Sequence, residues 1–359
     1  MVAKRTEQAH DNELERIVDK LCADRRLSTQ EYERLVALRT PRIATKLARR
    51  AQAERSRVYG NAVFVRGLIE VTSYCKNDCL YCGIRCSNRS CTRYRLSPDE
   101  IMQRVEAGYG WGFRTFVLQG GEDPQFGDDK VTALVARIKK RFPDAAVTLS
   151  LGERSAAVYR AWQEAGADRY LLRHETANPD HYARLHPSGM SLETRLRCLH
   201  EVRASGFAVG CGCMVGSPGQ TVADLARDLK FIEEFRPEMC GIGPFIPHRA
   251  TPFADEAAGS MELTCYMLSI TRLMLPGVLL PATTALATVA VDGRERGIRA
   301  GANVVMPNLS PPAVRKGYVL YNGKLSAGAE DAEHVSVLRG RMKQIGCTVV
   351  VDRGDPVSA

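Results

Sequence analysis

Three cysteines stand close together in the segment CKNDCLYC. Cys75, Cys79 and Cys82 have the spacing C-x3-C-x2-C, and they directly follow an apolar segment, residues 62–71, whose composition predicts a β-strand. Cysteine thiolates are the usual protein ligands of iron–sulfur clusters, so three thiolates on one loop can bind three irons of a cubane. The fourth iron would keep an open coordination position, and open metal positions are where chemistry takes place.

Other uses of these cysteines have different sequence signatures. A structural zinc site usually shows two Cys or His pairs separated by tens of residues, whereas here one loop carries a single triplet. Disulfides require an oxidising compartment, for which nothing in the sequence argues. Cys86 and Cys91 follow closely, and either one can be a buried thiol. The pattern therefore favours an iron–sulfur cluster over zinc or a disulfide.

The composition bounds the class of protein. The 359 residues are 45% hydrophobic, which suffices for one large core. No apolar run is long enough to span a membrane, and the charged N-terminus lacks the apolar core of an export signal. Twelve cysteines in such a chain are expected to be reduced thiols and metal ligands, which predicts a cytoplasmic protein. The net charge of +9 suggests anionic ligands or acidic partners, but no basic run with interleaved aromatics indicates nucleic-acid binding.

The periodicity predicts how these cysteines are positioned. Residues 1–60 have helical spacing, with a capping box at Ser28–Glu31. Strand and helix patterns then alternate, which is typical of βα units and a parallel sheet. Eight units predict a (β/α)8 TIM-type barrel over residues 61–309, an N-terminal helical extension over 1–60, and a C-terminal extension over 310–359 that closes or flanks the barrel. The strands are expected near 63–72, 113–119, 145–151, 168–173, 207–214, 239–246, 278–283 and 302–306.

Polar or glycine-rich segments follow most of the expected strands. In a barrel these segments share the face at the carboxyl ends of the strands, where active sites lie. The sequence therefore predicts one large site. In the tail, Pro311 and Pro312 interrupt the alternation, and helices are expected over 313–321 and 330–346.

The cysteine spacing resembles that of the radical S-adenosylmethionine (SAM) superfamily, in which the open iron chelates the amino and carboxylate groups of SAM. The resemblance implies roles for several other residues. Tyr81 would pack near adenine, and Gly120, Gly121 and Glu122 match the GGE motif that binds the SAM amino group; Met214 and Gly216 belong to a glycine motif that approaches adenosine. Glu175 is a candidate acceptor for the ribose hydroxyls, with Arg173 on the same strand face, and Arg195 is a candidate partner of the SAM carboxylate.

Each of these assignments has a structural alternative. Tyr81 is otherwise a core tyrosine, and Arg173 and Glu175 are a plain ion pair. Arg195 is otherwise a solvated residue on a helix, residues 120–121 are a plain glycine turn, and the segment 214–220 is an ordinary βα turn. Three further polar residues at strand ends, Thr283, Thr284 and Asn308, are substrate-binding candidates or structural caps. His248 is expected to hydrogen-bond either the substrate or the backbone.

Several longer segments resemble the FeFe-hydrogenase maturase HydE family. The match runs in order over most of residues 60–325, and its most specific motifs are RHETANP and GIGPFIPH. It implies a full (β/α)8 barrel with one 4Fe-4S cluster that reductively cleaves SAM to methionine and a 5′-deoxyadenosyl radical. The radical would act on a small iron–cysteine complex that bears CO and cyanide, made by the partner maturase HydG, and the product would pass to the scaffold HydF. The resemblance adds Met306 to the substrate-binding residues and implies catalytic roles for Tyr318 and Tyr321.

One feature departs from the pattern of that family. Many members carry an accessory cluster on three cysteines of the C-terminal tail, where this chain has Ser326, His334 and Val337, with only Cys347 nearby. The sequence therefore predicts no second cluster. Cys211 and Cys213 are expected to be small buried side chains on the fifth strand.

Other functions share parts of this motif plan. A methylornithine synthase (PylB) type of mutase has the same overall plan, while a biotin-synthase-like enzyme should carry ligands for an additional barrel cluster. A non-catalytic iron–sulfur or SAM-binding carrier is the alternative outside enzymes. Any of the enzymes would need a low-potential electron donor.

Overall fold

The computed structural model describes residues 2–325 and 331–357. Three helices come first: α1 (Val2–Asp24), α2 (Thr29–Ala37) and α3 (Pro41–Tyr59). The Ser28 hydroxyl accepts from the Glu31 N–H and the Glu31 carboxylate accepts from the Ser28 N–H, so the capping box begins α2 as predicted.

Parallel strands form a barrel. The strands are β1 (Ala62–Val65), β2 (Gly67–Thr72), β3 (Thr115–Gly120), β4 (Ala146–Ser150), β5 (Arg169–Leu171), β6 (Ala208–Cys211), β7 (Met214–Val215), β8 (Met239–Cys240), β9 (Gly243–Pro244), β10 (Val304–Val305) and β11 (Thr348–Val350). Six of them pair in the order β2-β3-β4-β5-β6-β8. Parallel bridges from Met239 to Leu279, Pro281 to Val304 and Leu68 to Asn308 lead the sheet back to its start. The architecture is therefore the α/β, TIM-type barrel that the alternating pattern predicts.

Helices surround the strands. They are α4 (Pro98–Gly110), α5 (Asp128–Arg141), α6 (Ala156–Glu164), α7 (Pro179–Leu185), α8 (Leu192–Ala204), α9 (Val222–Phe235), α10 (Met261–Met274), α11 (Thr284–Val289), α12 (Gly293–Arg299) and α13 (Val335–Gln344). The N-terminal helices pack on the side of the barrel, where α2 contacts α9 and α3 contacts α10. Within the described ranges, no helix has both the length and the apolar composition needed to cross a bilayer.

Three of the predicted strands are divided in two, and a fourth forms only single bridges. The expected strand 63–72 divides into β1 and β2. The expected strand 207–214 divides into β6 and β7, and the strand 239–246 divides into β8 and β9. The chain bends there because Gly212 packs against the backbone of Gly241, so closely that a Cβ on Gly212 would lie 2.1 Å from the Gly241 carbonyl oxygen. The expected strand 278–283 takes part only through single bridges at Leu279 and Pro281.

The C-terminal segment packs at the amino ends of the barrel strands. The expected helix over 313–321 is instead a 3-10 turn, Pro312–Gly317, while α13 lies within the helix expected over 330–346. β11, which was not predicted, pairs in parallel with β1. Beyond it, the Arg169 guanidinium donates to the carbonyl oxygens of Arg353 and Gly354 and pairs with Asp355 at 2.5 Å. These contacts hold the tail across the amino ends of the strands.

Candidate active site

The loop between β2 and α4 brings the three cysteines to one cavity. Cys75, Cys79 and Cys82 all line a cavity of about 340 Å³ at the carboxyl ends of the strands, here called the main cavity because most of the candidate site residues line it. Two charged side chains, Asp78 and Arg93, stabilise this loop through hydrogen bonds. Asp78 accepts hydrogen bonds from Arg85 and from the Ser87 N–H and hydroxyl. Arg93 donates to four backbone carbonyl oxygens of the same region, those of Ser73, Ile84, Arg85 and Asn88.

The chemistry of this donor set fits an iron–sulfur cluster. Burial raises the pKa of the Cys75 thiol, raises that of Cys82 to about 12, and raises that of Cys79 well above its ordinary value, with neighbouring cysteines adding to the shifts. Thiolates at these positions therefore need a bound cation. In the described part of the chain, no three His, Cys, Asp or Glu side chains surround a single-ion site. Three thiolates that line one cavity can each bind one iron of a cubane.

The end of β3 packs directly against the cysteine loop. A Cβ on Gly121 would lie 2.2 Å from the Tyr74 carbonyl oxygen and 2.7 Å from Cys75 Cβ, so only glycine fits here. Gly120, Gly121 and Glu122 line the main cavity. The Glu122 carbonyl accepts from the Lys76 N–H at 2.8 Å, and its carboxylate accepts from the Glu153 N–H at 3.0 Å. The GGE segment is thus joined to the cluster loop by backbone contacts.

Two arginines and two glutamates form a linked group on another wall. Arg173 and Glu175 pair at 3.1 Å, and the Arg195 guanidinium donates to Glu153 Oε1 and to the Arg173 carbonyl oxygen, each at 2.6 Å. Burial lowers the pKa of Arg195, but Tyr182 and Glu153 outweigh it, so the net pKa lies above the ordinary value. Three of these residues, Arg173, Glu175 and Arg195, line the cavity. The ion pair that sequence reasoning kept as an alternative for Arg173 and Glu175 is present, and it faces the cavity.

Apolar and aromatic residues complete this region. Tyr81 lines the cavity beside Met214, with its ring edge-on to His186 at 5.5 Å between centroids. Gly216, expected beside adenosine, does not line the cavity. Its backbone has φ +77° and its Cβ would lie 2.5 Å from Gly259 Cα, so it shapes the turn after β7.

Most of the expected substrate-binding residues share the same cavity. They are Thr283, Thr284 and Met306, and the expected catalytic residues Tyr318 and Tyr321 line it as well. The Thr283 hydroxyl also accepts the Leu286 N–H and caps α11. Tyr318 is 2% exposed, and its hydroxyl accepts from Gln119 at 3.3 Å. Burial raises the Tyr318 pKa well above the ordinary value, so its hydroxyl stays protonated.

His248 and Asn308 lie elsewhere. Asn308 is buried, donates to Glu70 Oε2 at 3.0 Å and accepts the Ser310 N–H at 2.8 Å. His248 lines a second cavity of about 360 Å³ together with Cys91. Neither residue lines the main cavity. Asn308 has the contacts of the structural cap that was its alternative, and His248 those of the backbone alternative, since its Nδ1 accepts the Ala250 N–H at 3.1 Å.

The remaining cysteines are free thiols. Cys86 is exposed. Cys211, at the end of β6, and Cys213, between β6 and β7, are buried as expected. The segment in which family members carry accessory-cluster cysteines includes residues 326–330, which lie outside the described residues.

Sequence reasoning missed a buried charged pair in the main cavity. Glu70 and Lys324 form an ion pair, and both residues line the cavity. The only signal for Glu70 was a carboxylate in the middle of the apolar run GLIEV, and Lys324 had none. Gln119, which donates to Tyr318, was missed as well.

Comparisons with known proteins agree with this geometry. The family model of the radical SAM superfamily matches residues 69–232. The [FeFe] hydrogenase maturase subunit HydE of Thermotoga maritima is 45% identical over 292 residues, which are 81% of this chain and 83% of that protein. The 3-methylornithine synthase of Methanosarcina acetivorans is 28% identical over 90% of this chain and 91% of its own length.

Solved structures show the same fold. Methylornithine synthase (PylB) superposes with a TM-score of 0.82 at 26% identity, over 93% of this chain and 97% of that one. The FeFe-hydrogenase maturase HydG from Carboxydothermus hydrogenoformans superposes with a TM-score of 0.77 at 20% identity, over 96% of this chain and 81% of that one.

The barrel and its three-cysteine site define a radical SAM enzyme, a class whose cofactors are a 4Fe-4S cluster and SAM. Within that class, the chain belongs to the HydE family of [FeFe] hydrogenase maturases.

Proposed function

We propose that this chain acts in hydrogenase maturation by cleaving SAM reductively and directing the resulting radical to an iron–cysteine complex that bears CO and cyanide. The complex would come from HydG, the product would be built toward the dinuclear iron subcluster on HydF, and a low-potential donor in the cytoplasm would supply the electron. The observation that carries the proposal is the single cavity that the cysteine triplet shares with most of the SAM-binding candidates and most of the substrate candidates, in a chain 45% identical to a HydE maturase.

The residues divide into two roles around the cavity. When bound, the cluster and SAM would supply a 5′-deoxyadenosyl radical. Cys75, Cys79 and Cys82 would hold the cluster, and the glycine backbone at the end of β3 would bind the SAM amino group. Arg195 would balance the SAM carboxylate, since a guanidinium matches a carboxylate in shape and charge.

The second role is to orient SAM and substrate and to exclude water. Glu175 would accept the ribose hydroxyls, and its carboxylate pairs with Arg173 at 3.1 Å. Thr283 and Thr284 would donate to the substrate, and Met306 would contact it with an apolar, polarisable side chain. Tyr318 and Tyr321 would act on the radical intermediate, with the Tyr318 hydroxyl held by Gln119. A cavity that SAM and substrate fill keeps water away from a reactive carbon radical.

The deciding experiment compares substrates on one enzyme preparation. Anaerobically reconstituted protein is given SAM and a reductant, with the iron–cysteine complex, with lysine, or with neither, and 5′-deoxyadenosine is quantified together with electron paramagnetic resonance spectra. We expect the iron complex to accelerate SAM cleavage. Acceleration by lysine alone would favour methylornithine synthesis, which the similarity to methylornithine synthases makes the second candidate.

The control is the variant with all three cysteines changed to alanine, which should leave SAM intact. Wild-type protein that carries a reduced cluster but produces no 5′-deoxyadenosine in any arm would contradict the proposal and indicate a carrier.

A further inference from the structure

Glu175 has an unusual backbone conformation for a cavity residue. Its φ is +66°, and the other non-glycine residues with positive φ in the described chain are Arg25 and Arg236. Arg25 directly follows α1 and Arg236 directly follows α9, a position where left-handed residues commonly end helices. Glu175 instead lies after β5 and lines the main cavity. A left-handed conformation is unfavourable for an L-residue with a side chain, so the surrounding contacts must impose it.

Backbone hydrogen bonds to the neighbouring strand impose part of it. The Glu175 N–H donates to the Gly212 carbonyl oxygen at 3.0 Å, and the Glu175 carbonyl oxygen accepts from the Met214 N–H at 3.1 Å. Both backbone groups of Glu175 are therefore used, on either side of Cys213, with which Glu175 forms a parallel bridge.

Asp228 supplies the remaining contacts. It lies on α9, is fully buried and is not among the residues that line the main cavity. Its Oδ1 accepts the Ala177 N–H at 2.5 Å and lies 3.5 Å from His174 Nε2. One carboxylate thus contacts the residue before Glu175 and the residue two positions after it.

His174 connects this carboxylate to the same strand contact. The imidazole is fully buried, and its Nδ1 accepts the Gly212 N–H at 3.3 Å. A neutral imidazole that accepts at Nδ1 carries its proton on Nε2, which is the atom that faces Asp228. Residues 174–177 are therefore fixed between Asp228 on one side and Gly212 on the other.

We propose that Asp228 is a positioning residue for SAM: through His174 and Ala177 it holds Glu175 in the left-handed conformation that presents its carboxylate to the cavity. This inference rests on the proposed role of Glu175 as the acceptor for the ribose hydroxyls.

Asp224 provides a matched control one helical turn earlier on α9. It is also buried, and it accepts from Asn178 Nδ2 at 2.5 Å and from the Thr221 N–H at 2.7 Å. Asp224 therefore anchors Asn178, the next residue along the same loop, and the start of its own helix.

The test measures SAM affinity and thermal stability of the cluster-loaded protein. We expect Asp228→Asn to raise the Kd for SAM about tenfold or more, the loss that one charged hydrogen bond typically produces. Asp224→Asn should change the Kd by less than about twofold at a comparable loss of thermal stability. His174→Asn, in which the amide oxygen can replace Nδ1 while no donor reaches Asp228, should weaken SAM binding in the same direction and serves if Asp228→Asn does not fold.

A double-mutant cycle separates positioning from general stability. Glycine adopts the left-handed conformation without restraint, so Glu175→Gly should weaken SAM binding and abolish any further effect of Asp228→Asn. Additive losses in the double variant, or equal losses from Asp228→Asn and Asp224→Asn, would overturn the proposal. Unchanged SAM affinity in Glu175→Gly would refute the ribose role of Glu175, and with it the positioning role. A Glu175→Gly effect without an Asp228→Asn effect would refute the positioning role alone.

Discussion

Lys324 and Glu70 form an ion pair in the wall of the main cavity although 254 positions separate them in the sequence. Glu70 lies on β2 and is fully buried, and its second carboxylate oxygen accepts from Asn308 at 3.0 Å. Lys324 also donates to the Tyr318 carbonyl oxygen at 2.9 Å. The pair therefore attaches the segment that carries both candidate catalytic tyrosines to the first long strand of the barrel.

Replacing Lys324 should leave the buried Glu70 carboxylate without its cationic partner. We expect Lys324→Met to lower the free energy of unfolding by about 3–5 kcal/mol, the usual cost of breaking a buried pair, as measured by urea denaturation. Lys316→Met, in the same segment but exposed, should change it by no more than about 0.5 kcal/mol. Similar stabilities of the two variants would show that the ion pair contributes little.

The contrast between Cys82 and Lys324 shows what the sequence could predict. The cysteine site could be predicted because its three ligands lie within eight residues of one loop and have a recognisable spacing. The strand–helix alternation likewise predicts the barrel because the hydrophobic periods are local. Lys324 has no such signal, because its burial depends on a carboxylate that only folding brings within reach.

For Lys324 no signal was present in the sequence, whereas for one glycine the sequence suggested a binding role that the structure does not support. Gly121 and Gly216 look alike in sequence, and both were assigned to SAM. Gly121 lines the cavity against the cysteine loop, whereas Gly216 is a glycine because the Gly259 backbone packs on it. Only three-dimensional packing distinguishes these two reasons, and the same holds for the left-handed backbone of Glu175.

Iron content tests the cluster ligands directly. Reconstituted wild-type protein should bind about four irons per chain, as one cubane requires, and the variant with Cys75, Cys79 and Cys82 changed to alanine should bind nearly none. Cys86→Ala is the control, because Cys86 lies in the same loop but is exposed, and it should retain the full iron content. About eight irons in the wild type would contradict the prediction that the tail carries no second cluster.

Acid stability should depend on Asp123. Burial raises the pKa of its carboxyl group, but hydrogen bonds from Arg95, Thr72 and the Gln125 N–H outweigh burial, so the net pKa is lower than the ordinary value. A pKa that is lower in the folded state stabilises the protein above the unfolded value of about 3.9. This contribution is lost as the pH falls through the folded-state pKa.

The measurement is the free energy of unfolding of wild type and Asp123→Asn between about pH 6 and pH 3. The variant should be less stable near pH 6, and the difference should shrink below about pH 4. A constant difference between Asp123→Asn and wild type across this range would exclude titration of Asp123 as the cause.

A methyl group at Gly121 should disturb the cluster loop without removing any ligand. Its Cβ would lie 2.2 Å from the Tyr74 carbonyl oxygen, a backbone atom that cannot move without displacing Cys75. We expect Gly121→Ala to lower the free energy of unfolding by about 1–3 kcal/mol and to reduce iron incorporation and SAM cleavage together. Gly110→Ala is the control, because a Cβ at this position, at the end of α4, would meet no neighbouring group within 4 Å. It should retain iron incorporation and SAM cleavage. It should also be at least as stable as wild type, because alanine is favoured over glycine in helices. Full iron content in Gly121→Ala would mean that the loop can shift to accept the methyl group, and the close packing of β3 against the cysteines would then not be needed for cluster binding.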